Sequence, residues 1–413
     1  MKIAILGYGK EGKSSERYFL NRGDAVEIFD NLTAENIDKL DLSGFDLILR
    51  SPSMHPRDGF SSMTKYFFEH KKAPAIGVTG TKGKGTTCSL IAGVLRALGF
   101  NVYLVGNIGN PSLNVLDELK PEDVVVYEMS SFQLWDLTVS PEVAVVLRIE
   151  ADHLNVHDGF DDYVAAKGHI AEYQKPEDTL VYFKNNQWSR EIAEKSKALS
   201  KFAYPLDEKP AGLVELLDNL AIPGEHNREN AEAALLAVAG FLKITLEELT
   251  LKYAAQIKEA FAEFKGLPHH IEFVRTLNGV DYYDDSFSAS EPSLEVAVKA
   301  FSDRPVVLIA GGKDRGLDLT PIRAAIFTPK NMKKVFLMGE TKNGLAMGAD
   351  MARYETVETL EEAVLKAREL AEELAADGER PVILLSPGAA SFDMFKDFYD
   401  RGDQFQALVK GLK

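Results

Sequence analysis

The sequence holds a single cysteine, Cys88, so an intrachain disulfide and a cysteine-rich metal site are both excluded. It has no apolar run approaching the ~18 residues of a membrane-spanning helix. The opening residues, MKIAILGYGK, lack the basic stretch and long apolar segment of a signal peptide and read as a first β-strand. Basic residues are outnumbered, 47 against 63 acidic, which leaves a formal charge of −16 and argues against a large nucleic-acid footprint. These absences predict a cytoplasmic protein with no nucleic-acid partner and no membrane span, and a monomer is expected. Any anionic ligand must be held by local devices against the overall field.

What is present is ordinary globular material: 45% hydrophobic and 27% charged residues over 413 positions. That length allows about two to four domains. Short apolar runs alternate with helical patterns, which predicts α/β architecture. Lys2–Leu6, Ala25–Phe29 and 46–49 read as buried strands of a first block. Ile76–Val78, Val102–Val105, Val124–Tyr127, Val143–Leu147 and Leu180–Phe183 follow in a second, and Pro305–Ala310, Lys334–Met338 and Pro381–Leu385 in a third. Asn278-Gly279 between two apolar runs signals a type I′ hairpin. Turn signals near Pro74 and at Gly266-Leu-Pro268 mark the joints. The expectation is three domains: a Rossmann-like domain over 1–73, a central P-loop domain with a mostly parallel sheet over 74–268, and a second Rossmann-like domain over 269–413.

The strongest local signal is Gly77-Val-Thr-Gly-Thr-Lys-Gly-Lys-Gly-Thr-Thr87, between a strand and a helix. Glycines there let backbone N–H groups approach phosphates at a helix N-terminus. Lys84 would reach the outer phosphates and Thr86 would offer a hydroxyl to Mg²⁺. Gly85 breaks the strict P-loop pattern, because Ser or Thr should follow the lysine. The bland alternative is a glycine-rich turn without a ligand. A second loop, Gly7-Tyr-Gly9-Lys-Glu-Gly12, follows the first strand, and Asp30 ends the second, where an acid can meet a ribose hydroxyl. It reads either as a pyrophosphate loop or as a plain tight turn.

Polar clusters sit at further strand ends. Glu128, in Glu128-Met-Ser-Ser-Phe-Gln133, is placed as a Mg²⁺ ligand beside the P-loop. Asp152-His153 is either a metal pair or a capped turn. Lys167, taken alone, reads as a surface lysine on a helix. His226, Asn227 and Asn230 open a helix and either cap it or touch a base or phosphate. Arg315 and Ser386 lie in strand-end loops of the third block, where α/β sheets hold ligands.

In order and spacing these clusters resemble the Mur ligases, which build the peptide stem of peptidoglycan. The motifs are the loop at 80–87, Gly106-Asn107-Ile-Gly109, Glu128–Gln133, Asp152-His153, Lys167, His226-Asn227 with Asn230, Gly266–His269 and Ser386-Pro-Gly-Ala-Ala-Ser-Phe392-Asp. The resemblance runs from Gly7 to Phe405. It is strongest toward the branch that adds D-glutamate to UDP-N-acetylmuramoyl-L-alanine. It implies an ATP-dependent, ADP-forming ligase with Mg²⁺, working through an acyl phosphate. By resemblance, Gly7, Gly9, Gly12, Asp30, Ser51 and Asn107 hold the UDP substrate. Gly80, Thr81, Lys82, Gly83, Lys84, Gly85, Thr86 and Thr87, with Asn227, Asn230 and Asp285, hold ATP. Arg315, Ser386 and Phe392 hold the amino acid. Lys84, Glu128, His153 and Lys167 are catalytic. Thr86, Glu128, His153 and Lys167, the last carbamylated, are the metal ligands.

Several positions depart from the pattern. Lys82 and Gly85 are more like folylpolyglutamate synthases. Phe287 and Ala289 stand where a lysine and a threonine are usual, and His270 where an arginine is. The stretch 186–223 reads as short for the central sheet. Two alternatives therefore stand beside the first reading: a folylpolyglutamate-synthase-like ligase with another substrate, and a nucleotide-binding paralogue without catalysis.

Overall fold

The computed structural model describes residues 1–413, the side chains of Ala34 and Glu35 apart. The chain forms two compact units, Met1–Asn219 with Glu229–Glu263, and Leu220–Arg228 with Phe264–Lys413. The first unit holds two sheets and the second holds one, so the expected α/β class with mostly parallel sheets is observed.

The first sheet comprises β1 (Lys2–Leu6), β2 (Ala25–Phe29), β3 (Leu47–Arg50) and β4 (Ser61–Ser62), in the order β2-β1-β3-β4 and all parallel. The second comprises β5 (Ala75–Thr79), β6 (Val102–Gly106), β7 (Val124–Glu128), β8 (Val143–Val146), β9 (Thr179–Phe183) and β10 (Ser200–Tyr204), in the order β10-β9-β8-β5-β7-β6, again parallel. Strands β5, β7 and β8 are buried along their whole length, because helices cover both faces of a parallel sheet. That burial is why they read as unbroken apolar runs.

The stretch 186–223, read as short for the central sheet, still contributes strand β10 to it. The segment supplies the helix Gln187–Lys195, an edge strand and the helix Ala211–Asp218. Its sequence, SKFAY, is exposed at the start and buried only at the end, which hides it from an apolar-run search. The following segment forms three helices, Glu225–Leu242, Leu246–Lys252 and Ala254–Glu263.

The first two sheets share one core. Tyr18, Phe19, Tyr66 and Phe67 from the first block pack in one cluster with Tyr127 and Leu134 from the second. Ring pairs such as Phe19–Tyr66, 5.2 Å apart and edge to face, add directional contacts to the buried area. A buried ion pair pins the same junction. Arg50, at the end of β3, has no exposed side-chain surface and binds Asp136 through Nε and Nη2 at 2.9 and 2.8 Å. It also donates to the carbonyls of Met54 and Phe132.

The third sheet comprises β11 (Glu272–Leu277), β12 (Val280–Asp284), β13 (Val306–Gly311), β14 (Met332–Met338), β15 (Tyr354–Thr356) and β16 (Val382–Leu385), ordered β11-β12-β16-β13-β14-β15. Only the β11–β12 pair is antiparallel. Its hairpin turns at Asn278 and Gly279, both at positive φ as a type I′ turn requires. Alternate residues of β13 face opposite sides, Val306 and Leu308 joining one core cluster and Val307 and Ile309 the other.

Arg50→Ala would leave Asp136 without its cation and four carbonyls without this donor. Removing one partner of a buried pair costs about 3–5 kcal/mol. Denaturant unfolding should show a loss of that size, whereas a surface control such as Arg148→Ala should lose well under 1 kcal/mol.

Candidate active site

The loop after β5 carries the densest functional geometry. Strand β5 lies inside its sheet; the chain stays on one side of it for β6 and β7 and crosses to the other for β8, a reversal that opens a crevice at the carboxyl end of β5. Gly80 and Gly83 have φ of 151° and 85°. A Cβ on Gly80 would lie 2.6 Å from Leu147 Cβ, and one on Gly83 would lie 2.5 Å from Asn230 Oδ1. Both positions therefore require glycine on conformational and steric grounds. The helix Lys84–Ala97 starts at once, with Thr86 in its first turn.

Lys84 folds back onto this loop. Its Nζ donates to the carbonyls of Gly80 at 3.1 Å and Thr81 at 3.0 Å. Burial lowers its pKa, while the charges of Glu128 and Asp152 act the other way. Thr81 ties the loop down, its hydroxyl donating to the Glu150 carbonyl at 3.0 Å and accepting from the Glu150 N–H at 2.8 Å. Lys82 is exposed.

Lys167 is not the surface lysine its helix pattern suggests. It is 1% exposed, and its Nζ donates to Gly80 O at 2.7 Å and lies 4.6 Å from the Tyr163 ring centroid. Its pKa is held well below the ordinary lysine value, chiefly by burial and then by the like charge of Lys84. The helix Phe160–Glu172 turns this residue inward, and single-sequence periodicity gives a weak sign of that.

Glu128 ends β7 and is 6% exposed. The Asn107 amide donates to its Oε1 at 3.2 Å, and the Asn107 N–H donates to its carbonyl at 3.1 Å. Asn107 and Glu128 therefore form one unit. Among the described residues, His153 shares no hydrogen bond with either of them. It is half-exposed at φ 54°, with Nε2 3.6 Å from Asp152 and its ring 5.0 Å from Phe132. Of the Asp152-His153 pair, it is the aspartate whose charge bears on Lys84 and Lys167.

The helix Glu225–Leu242 opens with His226, whose pKa burial pushes down to about 4. Asn227 donates its amide to Pro223 O at 2.7 Å, which ties the helix start to the preceding turn. Asn230 packs on Gly83.

The first sheet repeats the device on a smaller scale. Gly7 has φ 93°, and a Cβ there would lie 2.8 Å from Ser51 Cβ. A Cβ on Gly12 would strike the Gly7 carbonyl oxygen. Gly9 caps the helix Lys10–Asn21. Asp30 accepts the Tyr8 N–H at 3.1 Å, so it steadies the loop itself.

In the second unit, Asp285 and Ser386 meet at the ends of β12 and β16, with Ser386 Oγ donating to Asp285 Oδ2 at 2.7 Å. Burial raises the Asp285 pKa to about 8. Arg315 and Phe392 are exposed. Phe287 stacks on His270 with centroids 3.9 Å apart. Arg401, with no exposed surface, donates to Ser286 Oγ and to the carbonyls of Ala389 and Ser286. It binds together the loops that carry Asp285 and Ser386.

Several polar residues went unassigned in the sequence reading. Arg50, Arg401 and the buried chain Ser131–His157–Asp162, with contacts of 2.9 and 2.7 Å, are the main ones. Their partners lie far along the chain, or in sequence that reads as helix, so no local pattern marks them.

Residues 78–238 match the Mur ligase middle domain. The chain is 33% identical to the UDP-N-acetylmuramoylalanine–D-glutamate ligase of Clostridium botulinum (strain Alaska E43 / Type E3), over 95% of this chain and 88% of that protein. It is 32% identical to the enzyme of the same name from Acetivibrio thermocellus, over 100% and 97%. Among solved structures it is similar to the UDP-N-acetylmuramate-alanine ligase of Thermotoga maritima, with a TM-score of 0.59, 17% identity and full coverage of both chains. A folylpolyglutamate synthase of Mycobacterium tuberculosis shares the fold, with a TM-score of 0.57 and 16% identity over 85% of this chain and 95% of that one. The chain belongs to the Mur ligase family, and it is a ligase.

Gly83→Ala places a methyl group against Asn230 in a left-handed backbone. Nucleotide affinity should fall at least tenfold with the fold intact, as read by calorimetry beside circular dichroism. Unchanged affinity would remove the loop from the nucleotide site.

Proposed function

We propose that this chain joins D-glutamate to UDP-N-acetylmuramoyl-L-alanine at the expense of ATP, with release of ADP and phosphate. One observation carries the reading: a glycine-shaped phosphate loop, a buried glutamate and a buried lysine meet at the carboxyl end of one sheet, in a chain aligned along nearly its whole length with D-glutamate ligases.

In this reading the substrate carboxylate attacks the γ-phosphorus of ATP, giving an acyl phosphate and ADP. The amine of D-glutamate then attacks the acyl carbon, phosphate leaves, and the nitrogen sheds a proton. The loop 80–87 binds the phosphates through its backbone N–H groups and the helix N-terminus. Lys84 is already desolvated on that loop, and it turns from two carbonyl acceptors to the phosphate oxygens. Its charge acts in a water-poor site, where it stabilises the transferring phosphoryl group more than it would in bulk water. Asn227, Asn230 and Asp285 belong to ATP recognition. Gly7, Gly9, Gly12, Asp30, Ser51 and Asn107 belong to the UDP substrate. Arg315, Ser386 and Phe392 belong to the amino acid, with Arg315 suited to a carboxylate.

Mg²⁺ suits the donor set here, since Glu128 is a buried carboxylate oriented by Asn107. Thr86, Glu128, His153 and Lys167 would hold it, and when bound it neutralises charge between the phosphoryl group and the attacking carboxylate. Lys167 is a buried amine whose pKa burial holds well below the ordinary lysine value. Addition of its nitrogen to CO₂, with loss of a proton, converts it to a carbamate and supplies a further anionic ligand.

Phosphate release from ATP with UDP-N-acetylmuramoyl-L-alanine and a panel of amino acids tests the whole reading. Release should depend on D-glutamate. A preference for a folate and L-glutamate would instead support a folylpolyglutamate-synthase-like activity, and ATP binding without turnover on any substrate would point to a regulator. Lys167→Ala should lose at least a hundredfold in kcat and regain part of it with added short carboxylic acids. Activity equal to the parent protein would eliminate the carbamate.

A further inference from the structure

Glu11 is an acid in the loop that the preceding reading gives to an anion. It lies in the first turn of the helix Lys10–Asn21, between Gly9 and Gly12. Its Oε1 accepts from the Gln133 amide at 2.7 Å. Its Oε2 is buried and has no hydrogen-bond partner among the described residues. Gly7, Gly12, Ser15, Arg50, Ser51 and Met63 line the same small cavity. An ionised carboxyl at this point would occupy the positive end of the helix and repel a phosphate arriving there.

We propose that Glu11 is a positioning residue for the pyrophosphate of the nucleotide-linked substrate, its carboxyl holding a proton while the anion is bound. The inference rests on the reading of Gly7–Gly12 as the nucleotide end of that substrate's site. Burial raises the Glu11 pKa to about 7, against the opposing pull of the Gln133 hydrogen bond and of Arg50. The charged and titratable neighbours support this balance. Arg50, from β3, is already committed to Asp136. Tyr127, from β7, is buried, which raises its pKa, and its hydroxyl is hydrogen-bonded to Ser112 and Thr64. Asp30, from the end of β2, is bound to the Tyr8 N–H. Lys10 and Lys13, on the same helix, are exposed. None of these offers Glu11 a dedicated counter-charge. A doubly esterified pyrophosphate has no proton of its own to lose near neutral pH, so any pH dependence of binding in that range belongs to the protein.

The test is the affinity for UDP-N-acetylmuramoyl-L-alanine, measured by calorimetry on the full chain, for the parent protein and Glu11→Gln. Glutamine keeps the size and the contact to Gln133 but cannot ionise. If only the protonated form binds and its pKa is about 7, Kd for the parent should rise about 30-fold between about pH 6 and about pH 8.5. Glu11→Gln should stay flat and bind more tightly than the parent at the alkaline end. A second readout needs no ligand. The native state holds this proton more tightly than the unfolded chain does, so the parent should lose stability as pH rises from about 4.5 to about 7 and level off above. The gap in Tm between Glu11→Gln and the parent should widen over that window. Parallel pH profiles of Kd in the two proteins would overturn the role of Glu11 and leave the site reading intact. No binding at any pH would overturn the site reading, and this inference with it.

Discussion

Two lysine amines converge on one carbonyl oxygen, that of Gly80. Lys84 reaches it from the helix that follows the loop, and Lys167 from a helix more than eighty residues further along the chain. Burial lowers the proton affinity of both amines, and the like charge of Lys84 lowers that of Lys167 further. The rest of the site follows from that constraint. The loop must turn so that the Gly80 carbonyl faces inward, which demands its unusual φ. Carboxylates must stand nearby to balance the pair, and Glu128 and Asp152 do so from the ends of neighbouring segments. Anionic ligands then meet a focused positive spot in a protein of formal charge −16.

The same device recurs in each sheet. A glycine at positive φ ends or follows a strand: Gly7 after β1, Gly80 after β5 and Gly311 as the last residue of β13. Each brings the backbone close to a neighbouring strand end or its loop. At Gly311, a Cβ would strike the carbonyl oxygen of Met338 at the end of β14. Open α/β sheets bind ligands at such points because the connections diverge there. The three sheets differ in what fills the opening: a carboxyl in the first, two lysines in the second, and Asp285 with Ser386 tied by Arg401 in the third.

Much of this was legible in the residues. Strands buried on both faces, such as Val124–Glu128 and Val382–Leu385, appear as apolar runs because few polar groups find partners there, Glu128 at its strand's end being the exception. The phosphate loop was legible because its chemistry is local, with strand, glycines, lysine and helix inside a dozen positions. Edge strands were not. Ser200–Tyr204 and Tyr354–Thr356 are short and partly exposed, so their composition resembles loop. The inward turn of Lys167 was also hidden, since a helix shows its buried stripe only as a pattern and one lysine does not alter it.

By itself, the sequence determined the α/β class, the positions of the glycine loops and the residue types that could act, because each depends on local backbone geometry or on period. Only the tertiary structure decided which of those residues meet. It put Lys167 against Gly80, set the Asn107 amide on Glu128, and joined Arg50 to Asp136 across 86 positions. The physical reason is burial. A charged side chain takes its properties from the water it loses and the partners it gains, and both come from distant segments that only folding brings together.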